Sequence, residues 1–187
     1  MFCQLRAMGV CTGLLLAAFA STSEANASMT VVQVYDEDSC SGAPLQLVFT
    51  PTTDCSSASA ASCSLEAQDL GLFASAGCTE DPHEFAASAM GESPYVLVEI
   101  HRPDTNCDGL EGVAAYRADS GCHPTVESGT SFQVDWDGAS PSFKLFDDAA
   151  CSSTPIFQLN LASDSSECVD GSIKLKVVNV VAASDAL

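Results

Sequence analysis

The stretch PYVLVEIHRPDTNCDGLEGVAAYRADSGCHP, residues 94–124, decides the fold because it joins an apolar strand to two cysteines. Alternation in YVLVEI predicts a β-strand, which the proline shortly after it ends. Fourteen residues separate Cys107 from Cys122, and the same interval recurs between two other pairs of cysteines. The pattern predicts β-strands connected by cysteine-bearing turns.

Eight cysteines follow residue 27, and an even number in an exported chain predicts four disulfides. The recurring interval favours bonds between chain neighbours, because each bond would close one hairpin-sized loop and restrict the unfolded chain by roughly 3 kcal/mol. The expected pairs are Cys40 with Cys55, Cys63 with Cys78, Cys107 with Cys122, and Cys151 with Cys168.

Residues 1–27 have the three parts of a secretory signal peptide. Arg6 lies in a short polar start, GLLLAAFA forms an apolar centre, and Ala25 and Ala27 flank Asn26 as a cleavage site. Cleavage after Ala27 would split the glycosylation sequon that begins at Asn26. No other apolar run approaches the roughly 20 residues that span a bilayer, so we expect a secreted, extracellular protein without membrane insertion.

The chain is strongly acidic, with a formal net charge of −19. Such a field repels nucleic acid and anionic lipid surfaces, so neither is an expected partner. An unknown extracellular protein or a carbohydrate is the expected partner class, and no cofactor is expected.

Segments rich in β-branched and aromatic residues recur at regular intervals along the chain. They are residues 31–35, 45–50 and 95–100, the segments GVAAY, SFQVDW and SFKLF, and the closing runs IFQLNL and IKLKVVNVV. Residues 56–62 are predicted as a loop, and residues 64–73 and 83–90 are compatible with either helix or strand. The pattern predicts an all-β fold, a disulfide-stabilised antiparallel sandwich or barrel.

Two recurrences indicate internal similarity. CSG with an aromatic residue before Cys55 matches CDG with an aromatic residue before Cys122. An aromatic residue five positions before a cysteine, with proline four positions after it, occurs three times: Tyr35, Cys40, Pro44; Phe73, Cys78, Pro82; and Phe146, Cys151, Pro155. These patterns predict two related cysteine-rich β halves, residues 28–93 and 94–187, which can pack as one domain.

The runs VYDEDSCSGAP, GLEGVAAYRADSGCHP and TSFQVDWDGASPSFKLFDDAAC carry a family resemblance across most of residues 31–170. Their pattern of aromatic, acidic, cysteine, glycine and proline positions resembles the secreted cysteine-rich repeat proteins of oomycetes, which also form the extracellular part of some tyrosine-kinase-like kinases. The resemblance implies an extracellular, disulfide-stabilised β module with a role in sensing or host contact. The chain has no kinase domain, so signalling activity is not implied.

Few residues form a pattern with a specific chemistry. Asp104, Asn106 and Asp108 reproduce the first half of a calcium loop, but the position that needs a bidentate glutamate is Ala115. We interpret this segment as a polar turn, and no metal is expected.

No catalytic motif is present. The three histidines, His83, His101 and His123, occur outside any metal-binding or catalytic motif, and no G-x-S-x-G sequence is present. Trp136, the only tryptophan, is a candidate platform for a sugar or a peptide, although a packing role is the simpler reading.

The sequence favours a secreted, non-enzymatic binding or interaction module. Two alternatives stay open. One is an extracellular hydrolase that uses an Asp/Glu acid–base pair. The other is a secreted enzyme inhibitor, in which a rigid loop such as residues 103–112 would block an active site.

Overall fold

The computed structural model describes residues 28–55, 61–67, 70–126, 129–135, 142–161 and 168–178. Within these residues it contains two antiparallel sheets and one short helix, so the predicted all-β, disulfide-stabilised fold is confirmed. The elements are β1 (Met29–Tyr35), β2 (Gln46–Pro51), β3 (Ala61–Ala67), β4 (Leu72–Thr79), α1 (Pro82–Met90), β5 (Tyr95–His101), β6 (Leu110–Arg117), β7 (Cys122–Pro124), β8 (Ser131–Asp135), β9 (Ser142–Phe146), β10 (Phe157–Asn160) and β11 (Ile173–Val178).

The seven-stranded large sheet has the order β11-β5-β6-β2-β1-β4-β3, and the four-stranded small sheet has the order β10-β9-β8-β7. All of the strand pairs described are antiparallel. Strands from both sides of residue 93 pair within the large sheet, since β2 lies beside β6. The boundary between the two predicted halves stays a prediction.

The two sheets pack face to face over one apolar cluster. Side chains alternate along each strand, so Val96 and Val98 of β5 face the small sheet while Tyr95 and Leu97 face away from it. The small sheet contributes buried aromatic and β-branched residues from β8 and β9. The buried residues of this cluster are Val34, Leu45, Leu72, Val96, Val98, Ala118, Phe132, Val134, Phe143, Leu161 and Leu175.

Helix α1 covers the other face of the large sheet. It begins at Pro82, whose missing N–H is not needed in the first turn, and Asp81 caps it by accepting hydrogen bonds from the N–H groups of His83 and Glu84, both at 3.0 Å. Ala86 and Met90 are buried against the sheet. The segment 83–90, undecided from sequence, is therefore helical because it caps a second apolar cluster.

Segments 56–73 also differ from the sequence expectation. β3 begins at Ala61, within the stretch predicted as a loop, and pairs with β4. In the segment 64–73, which permits a short helical turn from sequence, residues 64–67 belong to β3 and residues 72–73 to β4, while residues 68–69 lie outside the described residues. Pairing with β4 overrides the weak local preference of this Ser- and Ala-rich region.

All eight cysteines that follow residue 27 are bonded, but none to the partner that the recurring interval predicted. The bonds are Cys40–Cys63, Cys55–Cys78, Cys107–Cys168 and Cys122–Cys151. The predicted neighbour pairing is therefore wrong at all four positions.

Strand geometry explains the error. β2 lies between Cys40 and Cys55, and its six residues extend about 20 Å, whereas a disulfide requires Cα atoms within about 7 Å. β6 and β10 separate the third and fourth neighbour pairs in the same way. β1 lies between β2 and β4, and its start is paired with the end of β2 on one side and with the end of β4 on the other. The chain therefore leaves β2 at the same end of the sheet as Cys78.

Two hairpins of the fold share one loop geometry. Tyr35 ends β1 and Phe146 ends β9, and the cysteine five residues further on has a positive φ in each loop, 45° for Cys40 and 51° for Cys151. In the first hairpin the N–H of Leu45 donates to the carbonyl of Val34 at 2.7 Å, and in the second the N–H of Ile156 donates to the carbonyl of Leu145 at 2.9 Å. Each donor lies ten residues after the aromatic residue, and each acceptor lies one residue before the aromatic residue. The recurring sequence pattern therefore corresponds to the same turn at these two places.

The third occurrence of the pattern has a different structure. Cys78 lies inside β4, and Pro82 is the first residue of α1. The aromatic-cysteine-proline spacing alone therefore does not specify the turn.

Candidate functional site

A cleft of about 530 Å³ opens between the two sheets. One wall consists of residues from β2, β6 and the end of β5. The opposite wall consists of the β7–β8 turn, the end of β9 and Ile156, which directly precedes β10. The small sheet has only four strands, so it covers part of the face that the seven-stranded sheet presents. The cleft lies where this cover ends.

The lining of the cleft is mostly apolar. Val48 and Ala114 form its floor on the large sheet, Tyr116 lies beside them, and Leu145 and Ile156 face them from the small sheet. Tyr116 is fixed by edge-on packing against Phe132 and by a tilted contact with Phe143, at ring centroid distances of 4.9 and 4.7 Å. These contacts hold the cleft wall to the interlayer core.

Exposed apolar side chains concentrate around the cleft. Within the part of the chain that the structure describes, four large apolar side chains are more than a third exposed, and Ile100 and Ile156 among them line the cleft. Val32 lies beside it, since it is opposite Val48 in the β1–β2 pair. Leu110, the fourth, does not line the cleft. A locally apolar surface of this kind is typical of binding sites.

The few polar groups of the cleft are specific in position. Thr125 and Thr130 bond to each other through their hydroxyls, and the N–H of Thr125 donates to the carbonyl of Thr130 at 3.0 Å. Gln46 is only 5% exposed, and its Oε1 is buried and accepts no hydrogen bond from any residue that the structure describes. Among the described lining residues Glu111 is the single acidic side chain, and none is basic.

A second polar cluster lies on the opposite face of the large sheet, next to α1. Glu99 accepts from His83 through Oε1 at 2.9 Å and from His101 through Oε2 at 3.0 Å. His101 is only 7% exposed, and its Nδ1 has no hydrogen-bond partner among the described residues. Sequence analysis treated each histidine separately and did not predict that two of them share one carboxylate.

His123, the third histidine, belongs to a network at the end of β6. Its Nε2 lies 2.6 Å from Oδ1 of Asp119, and the Nε of Arg117 lies 2.8 Å from Oδ2. Partial burial alone would raise the pKa of Asp119, but the hydrogen bonds from His123 and the Gly121 N–H, with the charges of His123 and Arg117, lower it overall. The His123 ring also packs on Phe132 within the small sheet. Because His123 belongs to β7 and Arg117 ends β6, the shared contact with Asp119 connects the two sheets.

The calcium candidate is a turn whose backbone carbonyls are bonded by the hydroxyl of Thr105. Asp104, Asn106 and Asp108 are all exposed. The hydroxyl of Thr105 lies 2.6 Å from the carbonyl of Arg102 and also contacts the carbonyl of Asp108, which closes the loop. Within the described ranges, no group of three or more His, Cys, Asp or Glu side chains is arranged to hold a metal ion.

Trp136, the candidate binding platform, lies outside the described residues. Gln46 is the cleft residue that sequence reasoning missed. The sequence offered no signal for it, because alternation in LQLVFT assigns Leu45, Leu47 and Phe49 to the core and places Gln46 on the opposite face.

No protein-family model, curated protein or solved structure matches the chain. Of the helices that the structure describes, none has the length and apolar character needed to cross a bilayer. Four disulfides in a small all-β protein are compatible with an extracellular location.

Proposed function

We propose that this protein is a secreted, non-enzymatic binding module that holds a small apolar molecule in the cleft between its sheets. The cleft is the observation that carries this proposal. Its volume of about 530 Å³ lies within the range of about 300–1,000 Å³ that is common for small-molecule sites.

The chemistry of the lining favours binding over hydrolysis. An Asp/Glu acid–base mechanism needs two carboxyl groups that face each other across the reacting bond. Glu111 is the single acidic residue among those described in the cleft, and the carboxylates Glu99 and Asp119 lie elsewhere, in contact with histidine side chains. No specific observation favours the inhibitor alternative.

The exclusion of anionic ligands follows from the same lining. A carboxylate or phosphate loses its hydration on entering an apolar cleft, and this free-energy cost is offset only where basic groups or hydrogen-bond donors contact the anion. No Lys, Arg or His occurs among the described lining residues, and the whole chain carries a net charge of −19. The expected occupant is therefore uncharged or cationic at most.

Nile red, an uncharged dye without a hydrogen-bond donor, tests the site because its emission increases in an apolar environment. We expect saturable binding, and we expect Val48→Glu on the cleft floor to weaken it by about tenfold or more, because a carboxylate resists apolar burial. Leu110→Glu is the control, since Leu110 is an exposed apolar residue that does not line the cleft. Absence of saturable binding, or equal loss in both variants with unchanged melting curves, would contradict the proposal.

A further inference from the structure

Gln46 is the one feature of the cleft that an apolar ligand alone does not explain. β2 and β6 pair so that Gln46 is opposite Tyr116, on the face that looks toward the small sheet. The neighbouring inward positions of this face carry apolar side chains such as Val48. An amide side chain at this position needs partners that the interior of the sandwich does not supply.

The carbonyl of this amide lacks a donor. Oε1 of Gln46 is buried and accepts no hydrogen bond from any described residue, and the side chain borders the cleft. A buried acceptor without a donor loses the hydration that it has in the unfolded chain, so a polar group in this state costs stability. Gln46 is a lining residue of the cleft, so a rotation of its side-chain amide would turn Oε1 toward a donor held there.

We propose that the cleft selects uncharged apolar molecules that carry a hydrogen-bond donor, such as a long-chain alcohol, and that the donor bonds to Oε1 of Gln46. This inference rests on the proposed function, since it names the ligand class of the same cleft. Anionic amphiphiles such as fatty acid carboxylates are rejected, because no basic side chain is among the described lining residues.

Two isomers separate the donor from the apolar chain. 1-Decanol and 1-methoxynonane have the same atoms, but only the alcohol has an O–H. The ether is less strongly hydrated, so an apolar cleft without an acceptor favours the ether. A preference for the alcohol therefore requires an acceptor inside the cleft.

The experiment measures displacement of Nile red from the full chain by 1-decanol, 1-methoxynonane and decanoate. We expect 1-decanol to compete at about tenfold lower concentration than 1-methoxynonane, which corresponds to about 1.4 kcal/mol, and decanoate to compete least. In Gln46→Met, which keeps the length of the side chain and removes the amide, the preference is expected to reverse toward the ether. Gln158→Met is the control, because Gln158 is exposed on β10 and does not line the cleft.

The outcomes are distinct. Equal competition by the two isomers, or a stronger effect of the ether, in the unchanged protein overturns the assignment of Gln46 and leaves binding of apolar molecules intact. Failure of Nile red to bind overturns both proposals. Because the isomers are compared in the unchanged protein, an absent preference for the alcohol overturns the inference even if Gln46→Met does not fold. The reversal in Gln46→Met separates Gln46 from the other acceptors of the cleft, among them Glu111 and the hydroxyls of Thr125 and Thr130.

Discussion

Removal of the Cys107–Cys168 bond is the sharpest test of the disulfide framework. This bond joins residues 61 positions apart, whereas Cys40 and Cys63 are 23 apart. In the chain-entropy relation, the stabilisation from a cross-link grows with the logarithm of loop length, which gives about 4.3 kcal/mol for the longer loop and about 3.4 kcal/mol for the shorter. The double variant Cys107→Ala, Cys168→Ala is therefore expected to lose about 4 kcal/mol of unfolding free energy.

The native contacts around this disulfide indicate that its removal acts mainly through the entropy of the unfolded chain. The N–H of Cys107 donates to the carbonyl of Gly171 at 3.0 Å, and β11 pairs with β5 over six positions. These hydrogen bonds persist without the sulfur atoms, so β11 is expected to stay in the large sheet. Three disulfides then remain, and a domain with an ordinary stability of about 5–15 kcal/mol stays folded at 25 °C.

Urea unfolding, followed by far-UV circular dichroism, measures the loss. The matched comparison is the double variant Cys40→Ala, Cys63→Ala, for which the expected loss is smaller by about 0.9 kcal/mol. A larger loss for the 40–63 variant than for the 107–168 variant would refute the reasoning from loop length.

Thiol counting tests the connectivity independently of stability. Cys107→Ala with Cys168→Ala removes both ends of one bond, so the folded variant should contain no free thiol. Cys107→Ala with Cys122→Ala removes one end from each of two bonds, so it should leave the thiols of Cys168 and Cys151 free. The opposite result, two thiols in the first variant and none in the second, would restore the neighbour pairing.

Three further predictions concern the helix, the carboxylate network and the core. Asp81→Ala should lower the unfolding free energy by about 1 kcal/mol in urea titrations, whereas Asp81→Asn should keep most of the stability, because Asn still caps α1. The pKa of Asp119 is lower in the folded protein than in the unfolded chain, so its stabilisation is complete above the unfolded pKa of about 4 and is lost as pH falls through the folded pKa. Asp119→Asn should therefore remove up to about 1 kcal/mol at pH 7 and weaken the dependence of stability on pH below about pH 4. Leu97→Ala, in the fully buried cluster under α1, should cost about 2–5 kcal/mol in the same titrations, and equal stability of this variant and Leu110→Ala would contradict the core assignment.

The strands were predictable because their signal is local. Alternation in residues 95–100 divides the side chains of β5 between two faces, and in the structure these two faces pack into different apolar clusters. The helix was not predictable with the same certainty, because HEFAASAM contains few large apolar residues and its burial depends on a sheet face formed by β1, β2, β5 and β6. Its cap, Asp81 followed by Pro82, was a readable start signal that the sequence reasoning did not use.

The site was less accessible to sequence reasoning than the fold. Glu99 and His101 are two residues apart on one strand and thus share a face, which a period of two predicts. The arrival of His83 from α1 on the same carboxylate depends on tertiary packing and has no local signal. The cleft likewise depends on a difference in the width of two sheets, which no single segment encodes.

The recurring cysteine interval has a physical meaning different from the one that sequence spacing suggests. Fifteen residues accommodate one turn and one strand of six to eight residues, so the interval carries the chain from one end of a sheet to the other and places successive cysteines far apart. Each cysteine then bonds to one that another strand brings to the same end, and the bonds connect segments that are distant in sequence. The bond Cys122–Cys151 matters for binding because it joins β7 to the β9–β10 loop. β7 continues into the Thr125–Thr130 turn, and the β9–β10 loop continues to Ile156, and both line the small-sheet wall of the cleft. The same covalent bond that holds two segments of the small sheet together therefore fixes the positions of the side chains that face Gln46 and Val48 across the cleft.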